Sequence, residues 1–219
     1  MISILCPTRK RPEKLKRMIK SVRATALNDV EILCYVTEDD YSYDDQSFDA
    51  KFVEGPRLIM SDLWNALVPH ANGDILMQCA DDVVFRTPQW DRYVEETFSS
   101  IPDRILLVYG NDGSPNGENF ATLPFVHKRW VEVLKHFTGP GYSADFSDTH
   151  PFDIGKMIGR TKYLPLYFEH THWMWHKAEM DETYKEIQEL RVIDNNTARY
   201  AARLPERQAD AEKLRAAMR

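Results

Sequence analysis

Short apolar runs alternate with amphipathic stretches along most of this chain. Ile2-Ser3-Ile4-Leu5-Cys6 reads as a buried first strand. Residues 7–12 form a polar, basic loop, and Pro12 suits the first turn of a helix. Leu15, Met18, Ile19 and Val22 follow at i, i+3, i+4 and i+7, which gives that helix one apolar face. Residues 30–36 read as a second strand running into the acidic segment Thr37-Glu38-Asp39-Asp40, and 41–46 as a surface loop. Met60, Trp64, Leu67 and Val68 mark a helix closed by Asn72-Gly73. A strand over 75–79, a second apolar stretch Val83-Val84-Phe85, a helix over 90–98 and a strand over 105–109 come next. Residues 110–117 are rich in turn formers and read as a loop. Trp130, Leu134 and Phe137 place a helix over 127–137, residues 151–159 a short helix, and 163–168 a strand.

This order predicts an α/β fold with a mostly parallel central sheet and right-handed crossovers, flanked by helices. From about Glu179 the chain turns helical, charged and Ala-rich. After Pro205 it has few large apolar residues, so the expected helix there is marginal and either packs on a partner or frays.

Composition narrows the class. At 219 residues the chain supports one sizeable domain. With 43% apolar and 28% charged residues it is globular. A formal net charge of -6 works against a protein that coats nucleic acid. No apolar run reaches the length of a membrane span, and the first run, stopped by Pro7, lacks a signal-peptide layout. Cys6, Cys34 and Cys79 each lie in a strand-like run without a C-x-x-C, which points to buried free thiols and a cytoplasmic protein.

The chemistry concentrates in four places. Asp81-Asp82 follows the run Ile75-Leu76-Met77-Gln78-Cys79, whereas Asp39-Asp40 and Asp44-Asp45 sit in loop-like stretches. Two carboxylates at the mouth of a buried strand are costly without a cation between them. Mg2+ and Mn2+ prefer oxygen ligands, often one or two carboxylates plus substrate phosphates. His170 and His172, two apart and beside Glu169, are candidate metal ligands or structural histidines. Asp148, in the cluster Asp145, Asp148, Asp153 with His150, is either a helix N-cap or a general base. Thr8-Arg9-Lys10-Arg11 precedes a helix start and suits a phosphate; otherwise it is a solvated basic loop.

These residues together resemble a family 2 glycosyltransferase with the GT-A fold. The likeness opens with Ile2-Ser3-Ile4-Leu5-Cys6-Pro7-Thr8-Arg9-Lys10-Arg11-Pro12 and covers roughly residues 1–185, with 186–219 as a helical C-terminal extension. A narrower likeness to small glycosyltransferase-like proteins of bacteriophages rests on three segments. They are residues 73–85, Phe125-Val126-His127-Lys128-Arg129-Trp130, and Glu169-His170-Thr171-His172 followed by Asp181-Glu182-Thr183-Tyr184. The resemblance implies a nucleotide-diphosphate sugar as donor, a UDP-sugar favoured, with Mn2+ or Mg2+ and inverting transfer. It places Pro7, Thr8, Arg9 and Arg11 on the nucleotide, and Glu38 and Asp39 on its base or ribose. Asp82 becomes a metal ligand, Asp81 touches metal or ribose, and His172 or His170 adds a metal-binding imidazole. Asp148 becomes the base that activates the acceptor. Ala80 breaks the family's D-x-D motif, and Ser147 stands where a second acidic residue is usual beside Asp148.

The implied acceptor is a hydroxymethylated base in phage DNA, within the host cytoplasm, or else a glycan. For DNA the supporting residues are the basic first helix, Arg199, Arg203 and Arg207, with Tyr41, Tyr43, Tyr142 and Trp173 as stacking aromatics. Two rival classes use the same residues: a metal-dependent nucleotidyltransferase or phosphodiesterase, and a non-catalytic nucleotide-binding module.

Overall fold

In the computed structural model, which describes residues 1–218, the first apolar run is β1 (Ile2–Pro7), central in an eight-stranded sheet. It pairs in parallel with β2 (Val30–Thr37) on one side and β4 (Ile75–Gln78) on the other. Beyond β2 lies β3 (Lys51–Gly55), also parallel. Beyond β4 the order continues through β7 (Phe125–His127), β6 (Leu107–Asn111), β8 (Thr161–His170) and β5 (Val83–Phe85). Four of the seven pairings are parallel; β4–β7, β6–β7 and β5–β8 are antiparallel.

Alternation along β1 divides the core. Ile2, Ile4 and Cys6 face α1 (Pro12–Thr25) and α3 (Trp90–Ser99), among Leu15, Met18, Val22, Trp90, Val94 and Phe98. Leu5 faces the other layer, with α2 (Met60–Leu67), α4 (Lys128–Leu134) and α5 (Thr149–Met157). Behind the β5–β8 pairing, Phe85, Trp90, Phe125 and Phe168 form an aromatic cluster with centroids 4.9–5.9 Å apart. Such pairs stabilise by about 0.5–1.5 kcal/mol each beyond burial, which anchors the β5–β8 ladder. Cys6, Cys34 and Cys79 are buried free thiols.

Several expectations change. The polar stretch Lys51–Gly55 is an edge strand, and Phe125–His127 is a strand before α4 begins. Residues 41–46 are not all surface, because Tyr43 is buried within a short 3-10 turn. Gly73 is not a helix cap: α2 ends at Leu67, and a Cβ at Gly73 would meet Ser3 at 2.6 Å. Its role is close approach to β1, where its N–H donates to Ser3 Oγ.

The C-terminal segment is helical as expected, and its last helix packs within the chain. Three helices follow β8: α6 (Glu182–Ile193), α7 (Asn196–Ala202) and α8 (Leu204–Ala217). The 185/186 boundary falls inside α6. Far from fraying, α8 packs on α4 and α5 and buries Arg207, Asp210, Ala211 and Leu214. Its small apolar residues suffice because partners from the domain meet its charges: Asp210 lies 3.0 Å from His136 Nε2, and Arg207 sits over the Tyr200 ring. No helix among the described residues is long and apolar enough to cross a membrane.

Candidate active site

Four residues turn the chain from β4 into β5, and Asp81 and Asp82 end that turn. Both are buried. Asp81 accepts from Thr8 Oγ1 (2.8 Å) and from Arg11 Nη1 (3.2 Å), so the loop after β1 holds one carboxylate in place. The β5–β8 register sets the surroundings of the other. Val83 pairs with His170, and Thr171 donates its N–H and hydroxyl to the Asp82 carbonyl. His170 Nε2 therefore comes within 3.0 Å of Asp82 Oδ1, although no hydrogen bond is aligned to that oxygen. The other oxygen, Oδ2, accepts from the Tyr184 hydroxyl at 2.5 Å.

The two carboxylates differ electrostatically. Burial pushes Asp81 up to about 6, against the pull of Arg11 and with the push of Asp82. Burial would raise Asp82 too, but His170 and the Tyr184 hydroxyl hold it well below the usual carboxylate range. Burial and Asp82 in turn keep the Tyr184 phenol protonated, so it remains a donor.

Around this pair lies a cleft of about 870 Å³, also lined by Pro7, Thr8, Arg9, Arg11, His170, His172 and Asp148. It contains unmet polar atoms of both signs. Arg9 Nε and Arg11 Nε are buried donors without an acceptor; Asp82 Oδ1 and Gln78 Oε1 are buried acceptors without a donor. Unpaired buried polar groups are costly, so an occupant with an anionic part and a cationic part fits the seat. Carboxylate oxygens suit Mn2+ or Mg2+, and a seat with few protein ligands suits a cation that shares its coordination with phosphates. Among the described residues no three His, Cys, Asp or Glu side chains form a metal cage. His170 is beside Asp82, while His172 Nδ1 accepts from Met174 N–H at 3.3 Å and caps a short 3-10 turn. Burial and His170 lower His172 to about 4.

Asp148 lies half-buried in the cleft wall at the N-terminus of α5. The N-cap reading holds, since its Oδ1 accepts from Thr149 N–H at 2.7 Å, and the residue also lines the cleft. Burial raises it to about 6, opposed by hydrogen bonds from the Thr149 amide and hydroxyl.

No protein-family model matches this chain, and no curated protein does. Solved structures do match it. A Pyrobaculum calidifontis mannosyltransferase in complex with GDP-Man and Mn2+ superposes with a TM-score of 0.59 at 14% identity, over 78% of this chain and 57% of that one. Mycobacterium tuberculosis glucosyl-3-phosphoglycerate synthase, with Mn2+, UDP-glucose and phosphoglyceric acid, gives 0.58 at 13%, over 78% and 72%. S. aureus TarS 1-349 gives 0.56 at 11%, over 84% and 68%. The fold is GT-A. The chain spans just over half the length of the mannosyltransferase.

On this GT-A frame the remaining candidates divide. Pro7, Thr8, Arg9 and Arg11 reach the cleft, but Glu38 and Asp39 do not line it. Asp39 is exposed and pairs with Arg9 through both oxygens, at 2.9 and 3.1 Å, while Glu38 lines a neighbouring smaller pocket. The buried acid of that segment is Asp40, which accepts from Lys10 N–H and shapes the loop. The residue missed as a site member is Tyr184. It stands 102 positions from the carboxylate it touches, so no local pattern links them.

Proposed function

We propose that the chain is a metal-dependent inverting glycosyltransferase that uses a nucleoside-diphosphate sugar, a UDP-sugar favoured. The observation that carries this reading is the seat of unmet charges at Asp82, Arg9 and Arg11 on a GT-A frame. GT-A neighbours hold Mn2+ with GDP-mannose or UDP-glucose, which supports the same donor class here.

Asp82, with His170 beside it, would hold the cation, and Asp81 supports either the cation or the ribose. A bound Mn2+ or Mg2+ would act as a Lewis acid on the leaving diphosphate. Arg9 and Arg11, which line the cleft, would supply fixed positive charge to the same phosphates. Asp148 removes the proton from the acceptor hydroxyl as its oxygen bonds to the anomeric carbon. The bond from that carbon to the diphosphate oxygen breaks, and the nucleoside diphosphate leaves with its electron pair. A single displacement of this kind needs no enzyme nucleophile.

For the acceptor, a glycan hydroxyl is favoured over a hydroxymethylated DNA base. Tyr43, Tyr142 and Arg207, three of the residues a DNA acceptor would use, are buried. Arg199 is bound to Asp194, and Arg203 pairs with Glu206. The compared structures come from cellular organisms, so the phage likeness rests on the sequence segments alone.

Thermal melts with UDP, GDP and CDP and their sugars, with and without Mn2+, test the proposal. One nucleotide series should raise the melting temperature only with the cation. No shift with any of them would refute the donor class, and cleavage of a nucleic-acid phosphodiester would favour the nuclease-like rival.

A further inference from the structure

We infer that the first half of α6 is an autoinhibitory strap that occupies the seat of the donor diphosphate and its cation, and must lift before they bind. The inference rests on the nucleotide-sugar reading of the cleft. Its basis is a charge pattern. Asp181 Oδ1 accepts from Arg11 Nη2 at 2.6 Å, and Asp181 Oδ2 from Lys14 Nζ at 2.7 Å. Glu182 takes Lys10, and Glu186 lies 3.6 Å from Arg9 Nε and 2.7 Å from Arg57. Carboxylates thus sit on the basic loop that a diphosphate would use. At the same time the Tyr184 hydroxyl presents its hydrogen to Asp82 Oδ2, where a cation would be held. The strap places negative groups on the arginines and a positive hydrogen on the carboxylate, which is the charge order of a metal diphosphate.

Its grip is polar. Tyr184 is the one buried residue of α6. The Lys10–Glu182 and Arg57–Glu186 pairs are partly exposed and contribute little in water, while the Arg11–Asp181 pair is more buried and Arg11 also lies 3.9 Å from the Tyr184 ring centroid. The mimicry is also incomplete, because Arg9 Nε, Arg11 Nε and Asp82 Oδ1 remain unmet while the strap is down. A ligand that satisfies these atoms outcompetes the strap. The connection to β8 passes through His176, a non-glycine residue at φ 57°, where the chain reverses out of a 3-10 turn. Lifting α6 from that point leaves His170 in place, since the β5–β8 ladder holds it.

The test is calorimetric titration of UDP, and separately GDP, in saturating Mn2+ into wild type, Tyr184→Phe and the double variant Asp181→Asn/Glu186→Gln. Tyr184→Phe keeps the packed ring and removes only the hydroxyl. Each variant should bind roughly tenfold more tightly, because the unbound strap no longer competes. Hydrogen exchange over residues 182–193 of wild type should speed up when Mn2+ and the nucleotide bind. Equal or weaker affinity in the variants, with a wild type that binds, overturns the strap and leaves the nucleotide reading standing. Slower exchange over α6 on binding likewise overturns it, since α6 would then be a lid that closes on the ligand. Binding of neither nucleotide by any of the three proteins overturns the strap and, when CDP also gives no thermal shift, the nucleotide reading with it.

Discussion

Asp210 and Asp153 sit where the C-terminal helices dock, and each has a partner for both oxygens: His136 and Lys213 for Asp210, Lys156 and Tyr200 for Asp153. Asp82, buried like Asp210 but at the cleft mouth, has one oxygen without an aligned donor. Both regions take charge out of water. At the dock the unmet atoms are nitrogens alone, such as His150 Nε2 and Arg207 Nε. At the cleft mouth the unmet donors and acceptors are buried atoms of residues that line one cavity. Burial of charge is therefore a poor marker of function by itself. What separates the two regions is that the residues with leftover valences at the cleft mouth line an open cavity.

The largest test of this contrast is Asp148→Asn. The amide still caps α5, but it cannot take a proton, and general base catalysis contributes about 10²–10⁴ in rate. Turnover should fall by that factor while nucleotide affinity stays. In wild type, kcat/KM should rise through about pH 6, where the raised Asp148 ionises, and the variant should lose that limb. The stability sign is opposite. With its folded pKa raised, Asp148 binds more protons folded than unfolded, so its contribution is present at low pH and is lost as pH climbs toward 6. The variant should match or exceed the wild-type melting temperature at neutral pH.

Next in size, Asp82→Ala should abolish Mn2+-dependent nucleotide binding and also lower the melting temperature, because it takes the acceptor from the Tyr184 hydroxyl and the charge partner from His170. A titration with unchanged affinity would erase the contrast. At the dock only stability should fall. Leu214→Ala, at a fully buried site, should cost about 2–5 kcal/mol in denaturant melts and leave nucleotide affinity alone.

The smallest effect is acid sensitivity of the dock. His150 is buried, its Nδ1 3.1 Å from the Tyr142 hydroxyl, and burial with nearby His136 lowers it to about 3. Its depressed folded pKa means the unfolded chain binds the extra proton below about 6.5. Stability is therefore present above that pH and is lost on acidification toward 3. One such group sets a slope of at most about 1.4 kcal/mol per pH unit. Melts from pH 7 to 4 should show a shallower decline in His150→Gln, and identical slopes would remove His150 as the cause.

Much of this was written locally in the chain. The i, i+3, i+4, i+7 spacing from Leu15 to Val22 specifies α1 and its buried face, because a helix period leaves no other way to hide those side chains. The runs at Ile2 and Ile75 specify the two central strands, and the strand-mouth position singles out Asp81-Asp82 from the other Asp pairs. Other elements had no local signal. Lys51–Gly55 has too few apolar residues to read as a strand and is one only because β2 offers an edge to pair with. The helix after Pro205 reads as marginal because its small residues gain value only against α4 and α5. By itself, then, the sequence determined the α/β order, the sheet's centre and a short list of chemical groups. Tertiary structure decided which of those groups meet. It set His170 beside Asp82 through the β5–β8 register, sent Asp39 to the exposed side of Arg9, and laid Tyr184 on Asp82. Contacts between residues about a hundred positions apart depend on how whole elements pack, and no window of neighbouring residues carries that information.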